Sequence, residues 1–153
     1  LAQQATLFRT IQGIEIWQEH GEWVRAHKPT FAPAIAERFR WASTLDATQY
    51  DDLKAQQQQF TDMLQNVLAD GRLLVIPTIP DAAPKKNMSA DDVESVRTKT
   101  MELTCIAGLS GCPQVTIPLM IDGVAIGLSL IAARGQDRAL LEFIKGVNVH
   151  EAL

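Results

Sequence analysis

Cysteine, histidine and excess positive charge are all scarce in this chain of 153 residues. The two cysteines, Cys105 and Cys112, are too few for a secreted disulfide framework and are not spaced as CxxC, which fits a reducing compartment. The three histidines, His20, His27 and His150, fall in no HxxxH or HExxH frame, and Glu19, His20 and Glu22 diverge around a helix, so no metal is expected. Fourteen Lys and Arg stand against eighteen Asp and Glu, for a net charge of -4 with the signs interspersed, and no basic stripe is left to track nucleic acid. Long apolar runs are missing too. The longest, Val124 to Ala133, falls far short of the roughly 20 residues of a membrane-spanning helix, and no charged-then-apolar leader opens the chain. The expected setting is cytoplasmic, without membrane or nucleic-acid partners.

Signature motifs are equally sparse. Gly108, Gly111 and Gly135 form neither GxGxxG nor a Walker loop, so no nucleotide cofactor is expected. Leu109-Ser110-Gly111 lacks the frame of a GxSxG nucleophile elbow, and no histidine accompanies Cys112 in Gly111-Cys112-Pro113. Both cysteines read as small buried hydrophobes.

What is present is a normal core. Hydrophobic residues make up 46% of the chain, enough for one unit over 1–153, mostly helical to residue 70 and mixed strand and helix from 71. Leu7, Ile11, Ile14 and Trp17, then Trp23 and Val24, predict a helix over Ala5–His27, its stripe interrupted by Gly13 and Gly21. Ala34–Ala42 reads as a short helix anchored by Phe39 and Trp41. Tyr50, Leu53, Phe60, Leu64, Val67 and Leu68 predict a helix from Thr48 to Ala69 capped by Gly71, with Gln56–Gln59 as a solvated face. Leu73-Leu74-Val75-Ile76, stopped by Pro77, reads as a strand covered on both faces, and the prolines that follow keep the chain a loop as far as Met88. Ser89 and Asp92 open a helix whose inner line is Val93, Val96, Thr100, Leu103 and Ala107, ending at Gly108. Val115, Ile117, Leu119 and Ile121 alternate, as do Val124, Ile126, Leu128 and Leu130, with Asp122-Gly123 between them as a type I′ turn. Small residues Ala125, Gly127 and Ser129 on the opposite face predict a close neighbour, most simply a helix. Pro118 places its strand at an edge or bulge, and Asp137 is expected to cap a last helix with Leu140, Leu141 and Ile144 inward.

In sequence, Leu74-Val75-Ile76-Pro77-Thr78, a helix, Gly108-Leu109-Ser110-Gly111-Cys112-Pro113-Gln114-Val115-Thr116-Ile117-Pro118, Gly123-Val124-Ala125-Ile126-Gly127-Leu128 and Asp137-Arg138 together resemble the C-terminal part of amidase signature enzymes. The opening Phe8-Arg9-Thr10-Ile11-Gln12-Gly13, with Glu15, Trp17, His20, Gly21 and Trp23, is similar to the smaller members, including those resembling indole-acetamide hydrolases. Gly108 stands where the family often has Asn, and Ser129 where it often has Gln. The resemblance implies an α/β fold, here a mixed sheet fragment with flanking helices. It also implies a parent enzyme that hydrolyses a carboxylic amide to an acid and ammonia or an amine. The family's Ser-Ser-Lys centre lies on a Gly/Ser-rich segment N-terminal to all of these motifs, so no catalytic residue is expected in this chain. Residue 1 is Leu, and the chain is expected to be a piece of something longer. By position in the family, Pro77 and Thr78 after the first strand, and Met101, Thr104 and Cys105 on the next helix, are expected to face the substrate pocket. The expected partner is a small-molecule amide in the full-length parent. Strand edges and apolar faces left uncovered in such a piece predict homo-oligomers. The rival reading is a non-catalytic interaction module or a pseudo-enzyme relic.

Overall fold

The first helix, α1 (Ala2–His27), begins three residues before the expected start at Ala5 and runs through both glycines without a break. Gly13 is absent-side-chain space filled by others: a Cβ there would stand 2.5 Å from Leu45 Cδ1 and 2.7 Å from Trp41 Cζ3. Lys28, in left-handed conformation, ends α1 by donating its N–H to the Val24 carbonyl. This computed structural model describes residues 1–147; His150 lies outside the described residues.

Pro33 at the first turn starts α2 (Pro33–Ala42), as its missing N–H and fixed φ favour. Its buried residue is Ala42, while Trp41 remains 37% exposed, so the expected anchor is a wall and not a core residue. Asp46 accepts from Thr48 N–H and caps a 3₁₀ turn that leads into α3 (Tyr50–Val67). Gly71 closes a further 3₁₀ turn, Ala69–Gly71, instead of capping α3 directly.

Ser89 opens α4 (Ala90–Ser110) with a reciprocal cap: its Oγ accepts from Asp92 N–H at 3.1 Å and donates to Asp92 Oδ2 at 2.7 Å. The helix runs past Gly108, whose bare Cα is where Phe8 packs, Cε2 lying 3.1 Å from the position of a Cβ. Gly111, at φ +66, is the true stop. Because α4 lies against α1 and α3, its buried residues are Cys105, Ile106, Leu109 and Ser110; Val93 is exposed and the rest of the expected line is half-buried.

Three strands, β1 (Leu74–Pro77), β2 (Gln114–Ile121) and β3 (Val124–Ile131), form one sheet in the order β1-β3-β2, with both pairings antiparallel. The hairpin register Ile121↔Val124 leaves a two-residue turn with positive φ at Asp122 (50°) and Gly123 (76°), the type I′ signature. Pro118 lies on β2, an edge strand among the described residues, where a missing donor costs little. β1 includes Pro77 and is covered on one face only. Val75 is 52% exposed because α5 (Asp137–Gly146) packs toward β2 and leaves the β1 side of that face open.

The sheet separates two cores. Ile131, Leu68, Leu64, Ile106 and Cys112 fill the side toward α3 and α4, and Ile117, Leu130, Ala132 and Leu140 fill the side toward α5. On α5, Leu140 and Ile144 share a face at i and i+4, while Leu141 is rotated off it and is 54% exposed. Asp137 sits in the first turn; the N-cap is Gln136 and makes no side-chain cap bond.

Two side chains of α3 reach across to other chain reversals. Gln57 donates to the Leu109 carbonyl at 2.7 Å, so the glutamine run is not wholly a solvated face. Gln65 donates to Cys112 Sγ at 3.2 Å and accepts from Arg134 N–H at 3.1 Å.

Candidate functional site

Two polar groupings stand out, and they differ in what they leave available. The first is built where β1 ends. Pairing of Ile76 with Ser129 carries the chain onto Gly127, where Thr78 N–H donates to the Gly127 carbonyl at 2.9 Å. Thr78 Oγ1 and Ser129 Oγ then share a hydrogen bond of 2.7 Å, Thr116 Oγ1 and Ser129 Oγ one of 3.1 Å, and Thr78 donates to Thr116 at 3.3 Å. Gln114 Nε2 donates to Ser129 at 2.8 Å. Three hydroxyls thus form a ring in which each can donate one proton and accept one, so none is left polarised toward an external group. The close neighbour of the small face is therefore Thr78 and not a helix: a Cβ on Gly127 would stand 2.5 Å from Thr78 Oγ1 and 3.0 Å from Thr116 Cγ2.

The second grouping is an open cavity of about 320 Å3 bounded by α1, α2 and the N-terminal half of α4. Arg9 from α1, Arg38 from α2 and Arg97 from α4 line it, with Phe39 and Trp41 as aromatic wall and Met101 deeper along α4. Arg97 pairs with Glu94 at 3.5 Å, and the Arg9 guanidinium lies 5.5 Å from the Trp41 ring centroid. Among the described residues, Arg9 and Arg38 have no carboxylate partner.

The five residues expected to face a pocket are spread out. Met101 alone lines this cavity. Thr78 belongs to the hydroxyl ring, Pro77 is exposed at the end of β1, and Thr104 is exposed with its hydroxyl donating back to the Thr100 carbonyl at 3.0 Å. Cys105 is fully buried, and that burial pushes its thiol pKa up and holds it protonated, the state of a packing residue. Arg38 and Arg97 belong to no motif or spacing, and Arg9 lies in the opening Phe8–Gly13 motif without a role of its own there; the only shared sequence signal is three arginines on helices with aromatic neighbours.

Among the described residues, no group of three His, Cys, Asp or Glu side chains could hold a metal ion, and no helix is long and apolar enough to cross a membrane.

The family model described as Amidase matches residues 11–141. The chain belongs to the Amidase family. Within that family it is 36% identical over 141 residues to Amidase 1 of Oryza sativa subsp. japonica, covering 91% of this chain and 32% of the relative. It is also 32% identical over 145 residues to the Translocon at the outer membrane of chloroplasts 64 of Pisum sativum, covering 92% of this chain and 24% of that protein. The chain thus spans a third or less of the curated relatives it matches. A crystal structure of an amidase superposes with a TM-score of 0.76 at 18% identity, covering 92% of this chain and 33% of the other. An allophanate hydrolase from Kluyveromyces lactis gives 0.75 at 20% identity, covering 93% of this chain and 24% of the other. The amidase fold read from the ordered motifs is the fold observed, with its sheet portion antiparallel throughout the described strands.

Proposed function

We propose that this chain is the C-terminal portion of an amidase that hydrolyses a carboxylic amide to an acid and ammonia or an amine. In this reading it contributes sheet and part of the substrate pocket, and the Ser-Ser-Lys centre is carried by sequence N-terminal to it. The family match over residues 11–141 carries the reading. Attack on an amide needs an activated nucleophile beside oxyanion donors. Ser43 and Ser110 donate to helix carbonyls, Ser89 is spent on a cap, and Ser129 is closed in the hydroxyl ring, so no serine among these is paired with a lysine. Met101 on the cavity wall supports a pocket bounded by α4, with Pro77, Thr78, Thr104 and Cys105 kept as candidates facing the remainder of the parent. The two free cysteines agree with a reducing, cytoplasmic setting. The free edge of β1 and exposed Val75, Ile121 and Val124 agree with association to further copies or to the rest of the parent.

The test is an assay on small aryl and indolyl amides. The purified chain turns over none, and the protein encoded by the longer reading frame, with a Gly/Ser-rich segment and an upstream lysine, turns them over until a serine-directed inhibitor is added. Turnover by this chain alone, abolished by that inhibitor, overturns the reading.

A second reading rests on the relatives named for the chloroplast outer membrane, which favour a non-catalytic interaction module. A longer protein that carries the full centre and hydrolyses no amide, yet retains a protein partner through this region, decides for it.

A further inference from the structure

We infer that the cavity between α1, α2 and α4 binds an aromatic carboxylate. Its charge does not cancel: three guanidinium groups line it against one carboxylate, and Glu94 is already taken by Arg97. Arg9 and Arg38 keep their donors, and a planar guanidinium fork is the side chain best matched to a carboxylate. Phe39, stacked on Phe31 at 4.8 Å, and the 37%-exposed Trp41, with the Arg9 guanidinium 5.5 Å from its centroid, give the cavity an aromatic wall beside these cations, the surface that a flat ring would cover. At about 320 Å3 the space suits a ligand of one or two rings. Bareness at Gly13 is what makes the wall, since any Cβ there would displace the Trp41 ring.

The inference rests on the amidase reading in one respect only. Where that reading holds, the ligand is the acid released by hydrolysis or an amide bearing a second, anionic group; binding itself needs no catalytic centre.

The experiment is titration of the purified chain with 2-naphthoate, its neutral counterpart 2-naphthamide, and cyclohexanecarboxylate, by calorimetry and by tryptophan fluorescence. 2-Naphthoate is expected to bind at least about tenfold tighter than either comparator, since a charge-assisted pair is worth more than a neutral hydrogen bond. Its affinity is expected to fall as NaCl is raised. Arg38→Gln and Arg9→Gln are each expected to weaken 2-naphthoate about tenfold and leave 2-naphthamide unchanged. Arg25→Gln is the control, because Arg25 lies 4.8 Å from the Trp17 centroid in an arginine–tryptophan pair outside the cavity; it should change nothing. Exposed arginines at 9 and 38 can be replaced without unfolding the chain, which the circular dichroism of each variant verifies. Equal binding of acid and amide, no binding of the acid, or an equal loss in Arg25→Gln overturns the inference. Each of those results leaves the hydrolysis assay on the longer protein untouched, so the two readings fail separately.

Discussion

The hydroxyl ring on the sheet and the arginine cavity between the helices use polar groups in opposite ways. At the ring, Thr78, Thr116, Ser129 and Gln114 satisfy one another, and Ser129 is fully buried. In the cavity, Arg9 lies over the Trp41 ring, and neither it nor Arg38 meets a carboxylate among the described residues. A closed polar network specifies how strands meet, whereas an open one has interactions still to make. The difference predicts that damage to the ring is read in stability and damage to the cavity in binding.

The largest effect is expected from Gly127→Leu. Even a Cβ would collide with Thr78 Oγ1 and Cβ, and the longer side chain must force β1 away from β3, at a cost of about 3 kcal/mol or more. Chemical denaturation measures it; a variant as stable as the parent would mean that Thr78 does not lie over Gly127. Ser129→Ala comes next, at about 2 kcal/mol, because it removes the fully buried hydroxyl that Gln114 Nε2, Thr78 and Thr116 share. Should its midpoint stay unchanged, the ring is not closed. Gly123→Val is expected to cost about 1–2 kcal/mol through φ alone, since nothing lies within 4 Å of a Cβ there. Gly123→Asn separates strain from crowding: asparagine tolerates positive φ and should recover most of the loss in thermal unfolding. Smallest is Arg38→Gln, whose stability should stay within about 0.5 kcal/mol of the parent while binding of 2-naphthoate drops. A large fall in its melting temperature would make the arginine a structural residue and end the contrast.

The hairpin was legible because both of its signals are local: a period of two on each strand and an Asp-Gly pair that admits positive φ. The start of α4 was legible for the same reason, as Ser89 and Asp92 are three residues apart. Its end was not. Gly108 looked like a stop, yet it is an approach point for Phe8, one hundred residues away in sequence, and only that contact tells it from Gly111. The neighbour of Gly127 was misread as a helix because β1 lies about fifty residues upstream and its antiparallel seat beside β3 is a tertiary choice. Strand periodicity reports that a face is small, never what comes to fill it. Leu141 shows the limit of counting apolar residues: 100° around α5 from Leu140, it lies off the face that packs on the sheet and is 54% exposed. The cavity was invisible for a further reason, as Arg9, Arg38 and Arg97 come from three helices and carry no shared spacing.

The two glutamine bridges of α3 have a mechanical consequence. Gln57 holds the last turn of α4, and Gln65, two helical turns or about 12 Å further on, holds Cys112 and Arg134 just beyond it. That end of α4 is therefore pinned to a rigid rod. Its other end, bearing Glu94 and Arg97, receives no side-chain hydrogen bond from α3 among the described residues and borders the cavity. Two side chains of one helix thus fix the point where α4 gives way to the sheet.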